Sequence, residues 1–312
     1  MISWRYHVVS LVAVVLAFGL GILAGTSVVG DDLVRELQEN TNAAQQARAE
    51  AVALAGLYEQ FVVGLQPTLR DGVLAGEEAI VITMDGADGP AQVAVEELAA
   101  AGADVLASLE LTRRLAETDL DENAAAVEEV LGLVGSDPDT LSSRIADALA
   151  GRLAEGPLEP ESDVLGDLLE AGLVTADRDL DEAALLGIGG AGQLVVVAAG
   201  SAAPTGSPPP GLLLVPLAER LVELDVATTA VGPTDDPYGF VAAVRGAPGI
   251  QDCSMVTVDD IDVEGVGGIT MVMGIDRFLA DEDPAFRPGG DYGLDGDSML
   301  PGADEPPQSC RR

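Results

Sequence analysis

The sequence predicts an α/β domain carried on an N-terminal transmembrane helix and a coiled-coil stalk, and followed by a disordered acidic tail. Three observations lead there. Val8 to Val29 is an uncharged apolar run; apolar residues from Leu33 to Leu65 recur at an unbroken 4,3 spacing; and from Ala79 onward short apolar runs alternate with helical patterns. Strands separated by helices imply a mainly parallel sheet sandwiched between helical layers. The chain has 312 residues, 48% of them hydrophobic, enough for a substantial core, but only 3% are aromatic. The core is therefore expected to be Val, Leu, Ile and Ala.

Residues 1–7 form a short tip before the apolar run, which covers 8–29. A helix of that length rises roughly 33 Å, against a hydrocarbon core of about 30 Å. Arg5 precedes it and Asp31 and Asp32 follow it. The positive-inside rule then places the tip in the cytoplasm and the bulk of the chain outside the cytoplasmic membrane, with a single pass. A cleaved signal peptide is the competing reading, although its apolar core usually runs about 7–15 residues and this one is longer. Ala17, Gly21 and Gly25 recur every four residues. Such a small-residue face lets two membrane helices approach closely.

The segment 31–66 carries the stalk. Leu33, Leu37, Asn40, Ala44, Ala47, Ala51, Leu54, Tyr58, Phe61 and Leu65 make the seam, with mostly Glu, Gln, Arg, Asn and Ala between them. A seam sustained over more than about four heptads predicts a coiled coil, here a homodimer, and Asn40 within it would fix register. One long amphipathic helix packing on its own domain is the alternative. Pro67 and Gly72 mark the expected end.

In the soluble domain, 77–280, Ala79 to Met84 reads as a buried strand, then a loop DGADGP and a helix from Ala91 to Ala101. Ala103 to Leu111 reads as a second strand. A helical stretch follows from Thr112 to Leu173, broken near Gly135 to Pro138 and Gly156 to Pro160. Gln193 to Gly200, Val226 to Gly232, Ser254 to Asp260 and Gly268 to Gly274 complete the expected strands. Residues 281–312, rich in Asp, Gly and Pro, are expected to be disordered.

The charge balance excludes some partners. The chain has 53 acidic residues against 15 basic ones, all Arg, for a net charge of −38. Such a surface repels nucleic acid and anionic headgroups. Adaptation to a saline milieu is the plain reading, and a dedicated cation sink the sharper one. Catalytic patterns are missing too. DGADGP lacks the phosphate-loop spacings, and Asp85 and Asp88 read more simply as helix caps. GIGGAG (Gly187 to Gly192) precedes a strand, the wrong order for a dinucleotide fingerprint. The one histidine is His7, at the membrane. A histidine-dependent triad in the domain is excluded, and no enzyme is predicted.

The opening MISWRYHVVSLVAVVLAFGLGILAG, the heptad helix and SMVTVDDIDVEGVGGITMVMGIDRFLA, with TVDDID at Thr257 to Asp262, together resemble the actinobacterial envelope family of copper transport outer membrane proteins, MctB. The resemblance runs from Met1 to Leu279. It implies copper transport or copper homeostasis at the envelope. A second branch of that family implies a membrane-anchored coiled-coil scaffold, acting with a membrane partner to control a peptidoglycan hydrolase during cell separation.

Soft copper(I) takes thiolate and thioether ligands, and imidazole is the other common copper ligand. The chain offers two Cys, six Met and one His. Met271 and Met273, two apart in an expected strand, would share a face, and Cys253 and Met255 start another strand. If those strands are neighbours, the four form the candidate metal site, with Cys310 at best accessory; a buried core face is the alternative for the pair in the strand. No other cofactor is predicted. One helix cannot enclose a pore and the domain does not read as a membrane barrel, so any transport role needs an oligomer or an envelope partner.

Overall fold

The computed structural model describes residues 4–84, 88–117, 121–157, 163–200, 213–236, 239–250, 254–263, 265–280, 289–293 and 296. The chain divides into two compact units, Met1–Phe61 and Val62–Arg312.

Helix α1, Trp4–Arg70, supplies the whole first unit and the start of the second. Within it Tyr6–Leu23 is long and apolar enough to cross a membrane, with a mean hydropathy of 2.3. The large side chains of that stretch, Leu11 and Phe18 among them, are exposed, as a lipid-facing helix requires. Residues 31–66 are helical throughout, and seam residues Leu37, Leu54 and Phe61 are also exposed. The helix ends between Pro67 and Gly72, the two residues expected to mark its end. Pro67 sits inside its last turn, and the chain leaves the helix after Arg70.

The second unit is built on a seven-stranded sheet: β1 Glu78–Met84, β2 Asp104–Leu111, β3 Val174–Ala176, β4 Leu194–Ala198, β5 Ala227–Val231, β6 Val256–Val258 and β7 Gly290–Tyr292. Their order is β3-β2-β1-β4-β5-β6-β7, and every pairing is parallel except β2 with β3. β4 and β5 are buried along their whole length, which is why LVVVA and ATTAV show no polar alternation.

Two helical layers sandwich the sheet. On one face α4 (Asp121–Leu131), α5 (Pro138–Glu155), α6 (Val164–Glu170), α8 (Leu214–Glu223) and α9 (Phe240–Arg245) pack on Ile80, Ile82, Leu109, Val195, Val197 and Ala230. On the other, α2 (Asp88–Ala100) and α10 (Gly267–Leu279) cover Val81, Val196, Val256 and Val258. The short α3 (Arg113–Ala116) and α7 (Glu182–Gly187) complete the set. Local signals set the helix ends: Asp137 accepts from the Thr140 amide at 3.0 Å, Pro138 opens α5, and Gly156 closes it in the left-handed region.

Two expectations are corrected, and one strand is added. Gly268 to Gly274 is not a strand but most of α10. The helix extends to Leu279, and nine of its residues are buried because it packs on the sheet beside α2. The acidic segment 281–312 is not wholly without structure: β7 lies in it, pairs with β6 and buries Tyr292. The segment expected to be helical up to Leu173 is followed at once by the antiparallel edge strand β3, whose three residues are too few to carry a periodicity.

Candidate functional site

A parallel α/β sheet offers ligands the crevice beyond the carboxyl ends of its strands, above all where the chain order reverses. Here the reversal lies between β1, which leads to β2 on one side, and β4, which continues the sheet on the other. The loops leaving these strands contain 85–87, the first half of DGADGP, and 201–212, which lie outside the described residues. The described polar network at the carboxyl edge lies at β5, β6 and β7.

That edge is a network centred on Arg245, the last residue of α9. Its Nε donates to Thr257 Oγ1 at 2.8 Å, its Nη1 to Asp259 Oδ2 at 2.7 Å and its Nη2 to the Tyr292 carbonyl at 2.9 Å. Thr257 Oγ1 in turn donates to Asp291 Oδ1 at 2.8 Å. One guanidinium therefore ties α9, β6 and β7 together. Nearby, Asp262 Oδ1 accepts from the Thr234 amide at 2.7 Å and its hydroxyl at 3.1 Å, which fixes the turn after β5.

Asp260 is the exception in this network. It is completely buried, and neither carboxylate oxygen has a hydrogen-bond partner among the described residues. Burial disfavours its charged form, and the carboxylates of Asp259 and Asp262 add to that; its own backbone amide and Arg245 oppose it. The result is a carboxyl pushed up to about 6. Tyr292 is likewise buried, its hydroxyl has no partner among the described residues, and burial raises its phenol.

A second buried charge is fully satisfied. Arg152 of α5 pairs with Asp163 and donates to the carbonyls of Leu185 and Ile188, joining α5, α6 and the end of α7. It lines a cavity of about 290 Å³ with Asp147 and Glu155. With all three guanidinium nitrogens directed at protein acceptors, it reads as a structural tie.

The sulfur residues are dispersed. Met255 packs into the core on the α5 and α8 face, and Met271 into the core on the α2 face, so the sheet stands between them. Met271 and Met273 do not share a face as a strand would have them do; two residues apart on a helix they diverge by roughly 200°, and Met273 is only half-buried. Cys253 and Cys310 lie outside the described residues. Among the described residues no group of three or more His, Cys, Asp or Glu is arranged to hold a metal ion.

TVDDID stands out in the sequence as a motif, but nothing in it singles out Asp260. With 53 carboxylates in the chain, the residue type carries no contrast. The one local signal is its place at the end of an apolar strand run.

Comparison with known proteins gives a consistent result. The family described as "Copper transport outer membrane protein, MctB" matches residues 1–298. Relatives named copper transporter MctB, from Mycobacterium bovis and two strains of Mycobacterium tuberculosis, are each 26% identical over 299 residues, which is 88% of this chain and 92% of the relative.

Proposed function

We infer a part in copper handling at the cell envelope for this chain, which belongs to the MctB family of copper transport proteins. The observation that carries the inference is the extent of the match, residues 1–298, which runs from the apolar helix through the carboxyl-edge network and covers the first unit and most of the second. The protein is read as anchored in the cytoplasmic membrane by Tyr6–Leu23, with its tip inside and the α/β domain outside.

Physical chemistry limits how such a protein can move copper. One helix encloses no pore, and the sheet is open at β3 and β7 and covered by helices, unlike a membrane barrel. Copper would then pass through an assembly to which this chain contributes, formed with further copies or with an envelope partner. The family is named for transport and not for an enzymatic reaction. Within the chain, Cys253 and Met255, two apart in sequence, would be one pair of soft ligands. Met271 and Met273 would act separately from them.

A second reading is a non-enzymatic scaffold that regulates cell-wall hydrolysis and cell separation through protein contacts. It is favoured by the exposure of Leu37, Leu54 and Phe61 at heptad spacing on α1, which suits a parallel homodimer supported by the Ala17, Gly21 and Gly25 face.

A competitive copper(I) titration of the full chain in lipid nanodiscs separates the two. Saturable binding that is lost in Cys253→Ser, Met255→Leu, Met271→Leu or Met273→Leu supports direct copper handling and assigns ligands. Weak binding that salt screens and these substitutions leave unchanged assigns copper to the acidic surface and leaves the scaffold.

A further inference from the structure

The amino ends of β4 and β5 border a cavity of about 320 Å³, at the opposite edge of the sheet from Arg245. One wall is the glycine run before β4. A Cβ on Gly189 would lie 2.6 Å from the Arg152 carbonyl oxygen, and its φ of 82° is left-handed, so only glycine fits there. The Gly190 amide donates to the Leu153 carbonyl at 2.8 Å and the Gly189 amide to Gln193 Oε1 at 2.6 Å. Gln193 Nε2 in turn donates to the Gly187 carbonyl and to Glu78. Ala191 and Gly192 follow; they line the cavity, and their amides donate to no described residue. The other wall is the end of α8. The Asp225 amide donates to the Val222 carbonyl at 3.1 Å and the Val226 amide to the Leu221 carbonyl at 3.0 Å. That pair of bonds closes a helix through a left-handed residue, which is usually glycine. Here it is Asp225, at φ 59° the one non-glycine residue with positive φ among the described residues.

We propose that this cavity binds a zwitterion of dipeptide size, whose ammonium pairs with Asp225 and whose carboxylate accepts from the amides of Ala191 and Gly192. Aspartate is a costly choice at its position. It tolerates the left-handed backbone less well than glycine, and a negative charge at the end of a helix opposes the helix dipole. Nothing described repays that cost. The Asp225 carboxylate is exposed and has neither a hydrogen bond nor an ion pair with a described residue; Arg220, in the last turn of α8, is engaged by Glu223 and Asp147. No arginine is among the described lining residues, so the cation must come with the ligand. Asp225 is also the one carboxylate among them, too few for a metal ion. Opposite it, unpartnered amides in a turn of glycines suit an anionic group. An anion alone would meet Asp225, and a cation alone would leave the amides unfilled; one molecule bearing both charges satisfies both walls. The volume lies at the lower end of the roughly 300–1,000 Å³ usual for small-molecule sites, which fits a dipeptide better than a larger ligand. Both walls are held by their own hydrogen bonds, so little ordering is needed on binding.

Equilibrium dialysis of the full chain in nanodiscs against radiolabelled alanyl-alanine tests this, with N-acetyl-alanyl-alanine and alanyl-alanine amide as competitors. Saturable binding is expected, weakened about tenfold or more in Asp225→Asn and in Asp225→Gly. Asparagine keeps a residue that accepts the left-handed backbone and removes only the charge. Glycine relieves the backbone, so Asp225→Gly should fold as well as the unaltered chain, and its lost binding then reports the carboxylate. The acetylated peptide, which lacks the ammonium, should not displace the label. The amide, which lacks the carboxylate, should displace it less well than unlabelled alanyl-alanine. The proposal is overturned if the label does not bind saturably, if Asp225→Gly binds it as tightly as the unaltered chain, or if the acetylated peptide competes as well as the free one.

Discussion

Arg245 and Asp259 form an ion pair at the carboxyl edge of the sheet, Nη1 to Oδ2 at 2.7 Å, with both side chains largely withdrawn from solvent. The guanidinium also holds the Tyr292 carbonyl, so the pair fastens the last described strand to the rest of the domain. A carboxylate in that position loses little by burial while the arginine is present and a great deal when it is not. Arg245→Ala should therefore destabilise the domain by roughly 3 kcal/mol, read as a shift in urea midpoint. Arg245→Lys should recover only part of it, because an ammonium cannot reach Thr257, Asp259 and Tyr292 in the fork that the guanidinium makes.

Asp260 should make stability fall with pH. Its carboxyl is raised from 3.8 to about 6 in the folded state, so the fold binds the extra proton between those values. Its contribution is complete below 3.8 and is lost as pH rises through 6. The loss amounts to about 3 kcal/mol by linkage. Asp260→Asn mimics the neutral acid and should flatten this part of the pH–stability curve. It should also be more stable than the unaltered chain at pH 7.5, measured by denaturant unfolding at several pH values.

Tyr292 provides a test of the opposite sign. Its ring is buried against α10, but its hydroxyl has no partner among the described residues. Tyr292→Phe removes a desolvated polar group and keeps the packing. Thermal unfolding should show no loss, or a gain of up to about 1 kcal/mol.

The glycines divide by what surrounds them. Gly267→Ala would drive a methyl into the Asp260 carbonyl at 2.1 Å and should cost more than about 3 kcal/mol. Gly64 lies within α1 with nothing near its missing Cβ, and Gly64→Ala should stabilise the helix by about 1 kcal/mol. Circular dichroism melts of the two variants check the contrast.

Much of this architecture is legible in the residues themselves. The strands β1, β2, β4, β5 and β6 coincide with apolar runs bounded by Gly or Asp, and the long N-terminal helix with an uncharged run and an unbroken 4,3 spacing. Sequence and fold part company where local pattern loses its meaning. GITMVMG is buried at every position but Met273 because α10 packs on the sheet and against α2, and so short an apolar run shows no period to distinguish it from a strand. β3 and β7 span three residues each and exist through their partners β2 and β6. Asp260 is visible as part of TVDDID, but its burial is a property of the packed turn, to which Gly267 contributes from seven residues further along the chain.

A part in copper handling can be read from the copper content of cells that lack this chain, measured by elemental analysis after growth at raised copper. Such cells should accumulate more copper than their parent, and the full chain should restore the lower level while a form without residues 1–29 should not. Unchanged copper content, accompanied by defective cell separation, would contradict it and leave the scaffold as the function.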